Sequence, residues 1–314
     1  MILVTGGAGF IGSHLVDHLV SMRAKVKVVD NLSSGRIENL AQHRDSQNVE
    51  IVIGDLKDRE ICINVVKDVE VVFHFAANPE VRVSTIDPET HFRENIVATF
   101  NLLEAMRRRD VKVIVFASSS SVYGEPEEIP VKEDAPIRPV SVYGATKAAC
   151  ETLIHAYTRL YGFKAVIFRY ANVVGPRLRH GVIYDFLQKL KNNPHKLEIL
   201  GDGTQIRSFI YVDDAVEATI LAYQKSRSRF EIYNVASEDW ITIKDVADIV
   251  VKTLNLRNVK YILKPVAHGV GWLGDVKKIA LDISKLKSLG WKPKLSSREA
   301  AAKTVKDLSK EILR

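Results

Sequence analysis

The chain has 314 residues, of which 46% are hydrophobic and 26% charged, with a formal charge of +7 and two cysteines. That balance is ordinary for a soluble globular protein and gives enough chain for one large domain or two of usual size. No uncharged apolar run approaches the ~18–20 residues that a membrane-spanning helix needs. Cys62 and Cys150 have no metal-ligand spacing around them, so no metal is expected, and they read as small buried apolar residues in a reducing compartment. The basic runs, Arg107-Arg108-Arg109 and the lysines after Asp275, sit between periodic apolar residues. They read as solvated helix faces, not a nucleic-acid surface, while the surplus charge also suits a small anionic ligand. Met1-Ile2-Leu3-Val4 runs straight into a glycine-rich loop with no leader pattern, and a cytoplasmic location is expected.

Short β-branched runs alternate with amphipathic stretches through the first half. Strands are expected at Ile2–Thr5, Val26–Asp30, Val49–Ile53, Val71–Phe75, Val113–Ser118 and Ala165–Tyr170. Between them, apolar residues recur at helical spacing, as in Ile11, Leu15, Leu19 and in Val97, Phe100, Leu103, Met106. Continuous apolar strands joined by helices imply a parallel sheet covered on both faces, a Rossmann-type doubly wound α/β fold. Gly175-Pro176 breaks this rhythm. A helix at Ile183–Lys191, a turn at Gly201-Asp202-Gly203 and one alternating strand over Gln205–Val212 are expected next. A helix from Asp213-Asp214, a strand at Ile232–Val235, a helix at Ile243–Leu254 and a last one from Ser296 or Ser297 to the end follow. The chain thus divides into a dinucleotide domain over 1–175 and a smaller α/β substrate domain over 176–314, with about 209–237 packing back onto the first.

Thr5-Gly6-Gly7-Ala8-Gly9-Phe10-Ile11-Gly12 lies between the first strand and the first helix. A phosphate at a helix N-terminus needs backbone N–H donors, and glycines let the backbone approach that closely. The second strand ends in Asp30, where a carboxylate accepts hydrogen bonds from an adenosine ribose and repels a 2′-phosphate, so NAD is expected over NADP. Asp55-Leu56 and Phe75-Ala76-Ala77 end the third and fourth strands, where further cofactor walls would stand. Tyr143 and Lys147 are four apart and share a helix face. Oxidising an alcohol requires its hydroxyl proton to be removed, and an unperturbed tyrosine, with pKa ~10, is a poor base at neutral pH. A lysine ammonium and a positive nicotinamide would lower that value. The run Ser118-Ser119-Ser120-Ser121 ends the fifth strand at the same sheet edge and offers a hydroxyl to orient the substrate.

With these stretches, and with Val29-Asp30-Asn31-Leu32, Gly54-Asp55-Leu56, Tyr143-Gly144-Ala145-Thr146-Lys147, Arg169-Tyr170-Ala171-Asn172 and Arg207-Ser208-Phe209-Ile210-Tyr211-Val212-Asp213-Asp214, the chain resembles the extended short-chain dehydrogenase/reductase family along essentially its whole length. Within that family it is most similar to the UDP-glucose 4-epimerases. The resemblance implies a nucleotide-sugar substrate, a UDP-hexose, with Tyr143 as base, Lys147 as its partner and Ser119 as hydroxyl donor. It places NAD against Gly6, Gly9, Phe10, Ile11, Gly12, Asp30 and Asn31. Asp55, Leu56, Phe75, Ala76, Ala77 and Tyr170 would complete that contact, with Asn95 supporting the site behind the nicotinamide side. Asn172 and Arg207 would hold the diphosphate, and a homodimer would form through helices near 90–108 and 143–161.

Two departures bear on the substrate. The family's 4,6-dehydratases usually read Thr-Asp-Glu-Val-Tyr where this chain has Ser119-Ser120-Ser121-Val122-Tyr123, so the acidic pair for dehydration is missing. Epimerases often carry an arginine two residues before Gly-Asp, where this chain has Trp272. Packing at the domain interface is the role expected for that indole, with stacking on the nucleotide base as the other option. Besides 4-epimerisation, a decarboxylase, a uronate or N-acetylhexosamine epimerase, or a silent NAD-sensing protein on the same fold would fit these residues.

Overall fold

A computed structural model describes residues 1–312. The apolar runs of the first half become β1 (Ile2–Thr5), β2 (Val26–Asp30), β3 (Val49–Ile53), β4 (Val71–His74), β5 (Val113–Ser119) and β6 (Lys164–Tyr170). They are followed by β7 (Asn172–Val174), β8 (Lys196–Leu200), β9 (Ile206–Arg207), β10 (Phe209–Tyr211), β11 (Phe230–Val235), β12 (Ile241–Thr242) and β13 (Lys260–Lys264). Among the described residues, seven strands form one sheet in the order β3-β2-β1-β4-β5-β6-β11, parallel throughout. The expected Rossmann-type sheet is thus present. Neighbouring residues alternate between its two covered faces. Val4, Val28, Phe73, Val115 and Phe168 enter one buried cluster, while Leu3, Val29, Val72, Ile114, Phe116 and Ile167 enter the other. Burial on both faces is why the strands read as unbroken apolar runs.

The sheet order reverses between β1 and β4, which opens a crevice at their carboxyl ends. Buried His74 ties that junction together. Its ring nitrogens meet Thr5 Oγ1 at 2.7 Å and Thr99 Oγ1 at 2.9 Å, and Ala76 N donates to Thr5 Oγ1. Burial drives the imidazole pKa down to about 3, so it serves here as a neutral bridge.

The later part of the chain adds the helices Val182–Asn192, Ile243–Thr253 and Ser297–Ile312 and the parallel pair β8–β13. The last helix was expected to run to the chain end, and Leu313 and Arg314 lie outside the described residues. The single strand expected over Gln205–Val212 is corrected to two. β9 pairs antiparallel with β12, β10 pairs parallel with β7, and Val212 opens the helix Val212–Lys225. Ser208 is the crossover: its hydroxyl accepts from Ser237 N while its carbonyl accepts from Asn172 N. Two different partners tear one alternating pattern in half. The weakly apolar runs of β7, β8 and β13 went unassigned in the sequence. Cys62 and Cys150 are free and buried, and Arg108 and Arg109 are exposed.

A buried ion pair locks the sheet to the helix Val142–Tyr161. Arg169 on β6 is 2% exposed and Glu151 on the helix 4%, with Nη2 to Oε2 at 2.7 Å. Glu151 also accepts from Ser118, the first residue of the serine run. Arg169 further donates to Tyr123 Oη and to Glu133 O, both at 2.9 Å. Tyr123 in turn donates to Asn234 Oδ1 at the end of β11. Removing one partner of a buried pair leaves an uncompensated charge, worth about 3–5 kcal/mol. Arg169→Leu is expected to lower the unfolding free energy by that amount in urea titrations, and a change within ~0.5 kcal/mol would refute the clamp.

Candidate active site

The glycine run closes β1 and turns into the helix Phe10–Ser21. Gly6 has φ +67°, and a Cβ there would stand 2.7 Å from Ala76 N. A Cβ on Gly12 would overlap the Gly6 carbonyl. The helix is capped by Gly9 with no side-chain hydrogen bond, which leaves its first N–H groups for an anion. A cavity of about 930 Å³ lies against this helix end.

Gly6, Gly9, Phe10, Ile11, Gly12, Asp30, Asn31, Asp55, Leu56, Phe75, Ala76 and Ala77 all line it. So do Ser119, Tyr143, Lys147, Tyr170 and Asn172. Asn95, expected to support the site behind the nicotinamide side, does not line it. It is buried in the π-helical turn Phe92–Val97, accepts from Asn78 N at 3.1 Å and donates to Thr146 Oγ1 at 2.8 Å. Arg207 is also absent from this cavity and lines a second one of about 300 Å³.

Asp30 accepts from Ala8 N at 3.0 Å and Leu32 N at 2.8 Å. Burial pushes its pKa up, against those backbone donors. A Cβ on Gly35 would stand 2.8 Å from both carboxylate oxygens, so the loop after β2 closes tightly over the acid. Asn31 Nδ2 donates to Asp55 Oδ2 at 3.0 Å, linking the ends of β2 and β3. A phosphate-sized helix entrance and a carboxylate enclosed by small residues fit a dinucleotide whose ribose carries free hydroxyls.

At the inner end, Ser119 lines the cavity with Tyr143 and Lys147. Lys147 Nζ donates to Ala117 O at 2.7 Å and lies 5.9 Å from the centre of the Tyr143 ring. The sequence led to a phenol pulled down by lysine and a positive nicotinamide together. The protein's own surroundings act the other way, because burial pushes Tyr143 up to about 12 against the Ser119 hydroxyl. Burial also lowers Lys147 to about 8. Both shifts disfavour the charged forms, as desolvation must.

Sequence reasoning missed several wall residues: Ser33, Ser34, Arg36 and Asn39 after β2, Asn78–Val81 after β4, and Arg177–Ile183. The Ser33-Ser34-Gly35 turn shortly after Asp30, the acid expected to meet the ribose, was the available pointer to the first group. His91 was also missed. It is fully buried, its ring meets that of Tyr143 edge-on at 5.6 Å, and neither ring nitrogen has a hydrogen-bond partner.

The second cavity holds Arg207, Trp272 and Asp275 together. Arg207 Nη2 pairs with Asp275 Oδ1 at 2.7 Å, and Nη1 donates to Ile206 O at 2.7 Å. The Trp272 indole thus lines this cavity as well as packing on Gly274, whose added Cβ would lie 2.9 Å from the ring.

Residues 2–236 match the NAD dependent epimerase/dehydratase family. The chain is 35% identical over 310 residues to a UDP-glucose 4-epimerase of Mycolicibacterium smegmatis, with 96% of each chain covered. It is 49% identical to a UDP-galactose 4-epimerase of known crystal structure, covering 99% of each chain with a TM-score of 0.89. A dTDP-glucose 4,6-dehydratase from Streptomyces venezuelae, solved with NAD bound, gives a TM-score of 0.90 at 29% identity over 99% of this chain and 97% of that one. NAD is the cofactor.

The enclosure of Asp30 generates a test of cofactor choice. Calorimetric titration is expected to give much tighter binding of NAD than of NADP, with Asp30→Ala narrowing the gap. Comparable affinities in the unaltered chain would overturn the ribose assignment.

Proposed function

The chain belongs to the NAD-dependent epimerase/dehydratase family, and on that premise we propose that it interconverts UDP-glucose and UDP-galactose by inverting C4 through a transient 4-keto sugar. The observation that carries this reading is the meeting of Ser119, Tyr143 and Lys147 at the end of the cofactor cavity that adjoins the second one. The intact set also weighs against a silent NAD-sensing protein.

The Tyr143 oxygen takes the proton of the sugar 4-hydroxyl, which Ser119 Oγ holds in place. Bound NAD supplies the two-electron chemistry that no side chain here can. Lys147 adds positive charge beside the phenol, and any further cation brought into the cleft lowers the Tyr143 pKa from about 12 toward the working pH. Inversion needs the keto sugar to turn over, and the small residues Ser120, Ser121 and Gly181, which line both cavities, leave room for that. Ser120 and Ser121 offer no carboxyl to eliminate water, which favours epimerisation over dehydration. Asn172 and Arg207 hold the diphosphate, Arg207 exchanging part of its bond with Asp275 for the phosphate oxygens. The reading includes a homodimer. Phe92, Phe100, Leu160 and Tyr161 leave apolar surface exposed on the helices expected to meet.

Product analysis by NMR after incubation with UDP-galactose tests the activity, with UDP-glucose expected. Tyr143→Phe is expected to lose about 10²–10⁴-fold in kcat while still binding NAD, and near-normal turnover would sink the mechanism. Arg207→Ala removes a charge-assisted contact worth ~1.5–3 kcal/mol. KM for the nucleotide sugar should rise and UDP inhibition weaken, with NAD affinity unaltered. Unchanged KM and UDP inhibition in this variant would place the diphosphate elsewhere.

A further inference from the structure

The two cavities meet at a throat whose polar wall is Glu80, Ser120, Ser121, Asn172 and His180, residues that line both. Among the described residues shared by the two cavities, only Glu80 has a charged side chain. Burial lowers the His180 pKa, so that ring adds no fixed positive charge. The segment bearing Glu80 is pinned on either side. Asn78 N donates to Asn95 Oδ1, and Ser84 Oγ accepts from Tyr143 N, each at 3.1 Å. Glu80 therefore stands at a fixed place near the reacting end.

The neighbouring cation does not neutralise this wall. Arg82 Nε and Nη2 reach the two Glu80 oxygens at 3.0 and 3.1 Å, while its Nη1 meets Asp185 Oδ2 at 3.3 Å. One guanidinium is thus shared between two carboxylates, all three side chains remaining part-exposed. The other cations on the second cavity's wall are matched by the chain's own acids, Lys189 by Glu198 and Arg207 by Asp275. Burial alone would raise the Glu80 pKa, but the Arg82 fork outweighs it and holds the carboxyl below its usual range.

We propose that Glu80, held by an Arg82 that Asp185 shares, makes the throat select neutral hexoses and reject hexuronates. This rests on the nucleotide-sugar reading above. The hexose is the part of such a ligand that lies between the Ser119–Tyr143 end and the Arg207 end, which is where the throat stands. A neutral C6 hydroxymethyl group can donate a hydrogen bond to Glu80. A C6 carboxylate there faces a like charge with no uncommitted cation in the wall.

The test is calorimetric binding of UDP-glucose and UDP-glucuronate to the NAD-loaded full chain. The unaltered protein is expected to prefer UDP-glucose by about tenfold or more. In Glu80→Gln that ratio should fall about fivefold or more, because a like charge is removed and part of the Arg82 fork is freed for the uronate. Asp185→Asn should move it in the same direction, which keeps the test open if the first variant fails to fold. A purely structural role would weaken both ligands in parallel and leave the ratio fixed, which would overturn the proposal. Equal affinities in the unaltered chain would overturn it too, leaving the nucleotide-sugar reading intact. Binding of neither ligand would remove that reading and this inference together.

Discussion

Arg169 is charged, 2% exposed, and answered on every side that matters to the site. Its guanidinium reaches Glu151 on the helix that carries Tyr143 and Lys147, Tyr123 after the serine run, and the Glu133 carbonyl. Asn234 extends the lattice, accepting from Tyr123 and donating to Val131 O and Asp282 O. Burying such a charge is tolerable only when its partners are fixed in geometry. The helix bearing Tyr143 and Lys147, the end of β5, the loop after it and the end of β11 therefore hold one arrangement, and the spacing of Ser119, Tyr143 and Lys147 follows from it.

That rigidity sets the electrical state of the site. The same dry surroundings raise the tyrosine and lower the lysine, so the ligand-free pair is biased toward its uncharged forms. A phenol in that condition becomes a usable base only when positive charge is added beside it. Base strength in this cleft is thus coupled to what fills it.

The wall of the second cavity is balanced in charge, not in surplus. The chain's formal charge of +7 does not concentrate there, since Arg207, Lys189 and Arg82 each face a carboxylate of their own chain. On the proposed reading a diphosphate would exchange with Asp275 for a guanidinium already engaged, and a ligand offering two anionic oxygens at once would suit that exchange best. Trp272 widens the apolar part of the same wall.

The sequence by itself determined the parallel sheet, the glycine turn, the acid at the end of β2 and the Tyr143–Lys147 face. Each of these is local: a period of two or 3.6 residues, or groups a few positions apart, fixes which side chains share a strand face or a helix turn. What only the tertiary structure decided depends on partners distant in the chain. Asp275 takes Arg207 from 68 positions along the chain, and Asp185 shares Arg82 with Glu80. Gln205–Val212 splits because β12 and β7 claim its two halves. Asn95 withdraws behind the wall because Thr146 and Asn78 hold it there. The tyrosine's protonation was likewise beyond the sequence, because desolvation sums over every neighbour that excludes water, and those neighbours come from strands and helices far apart along the chain.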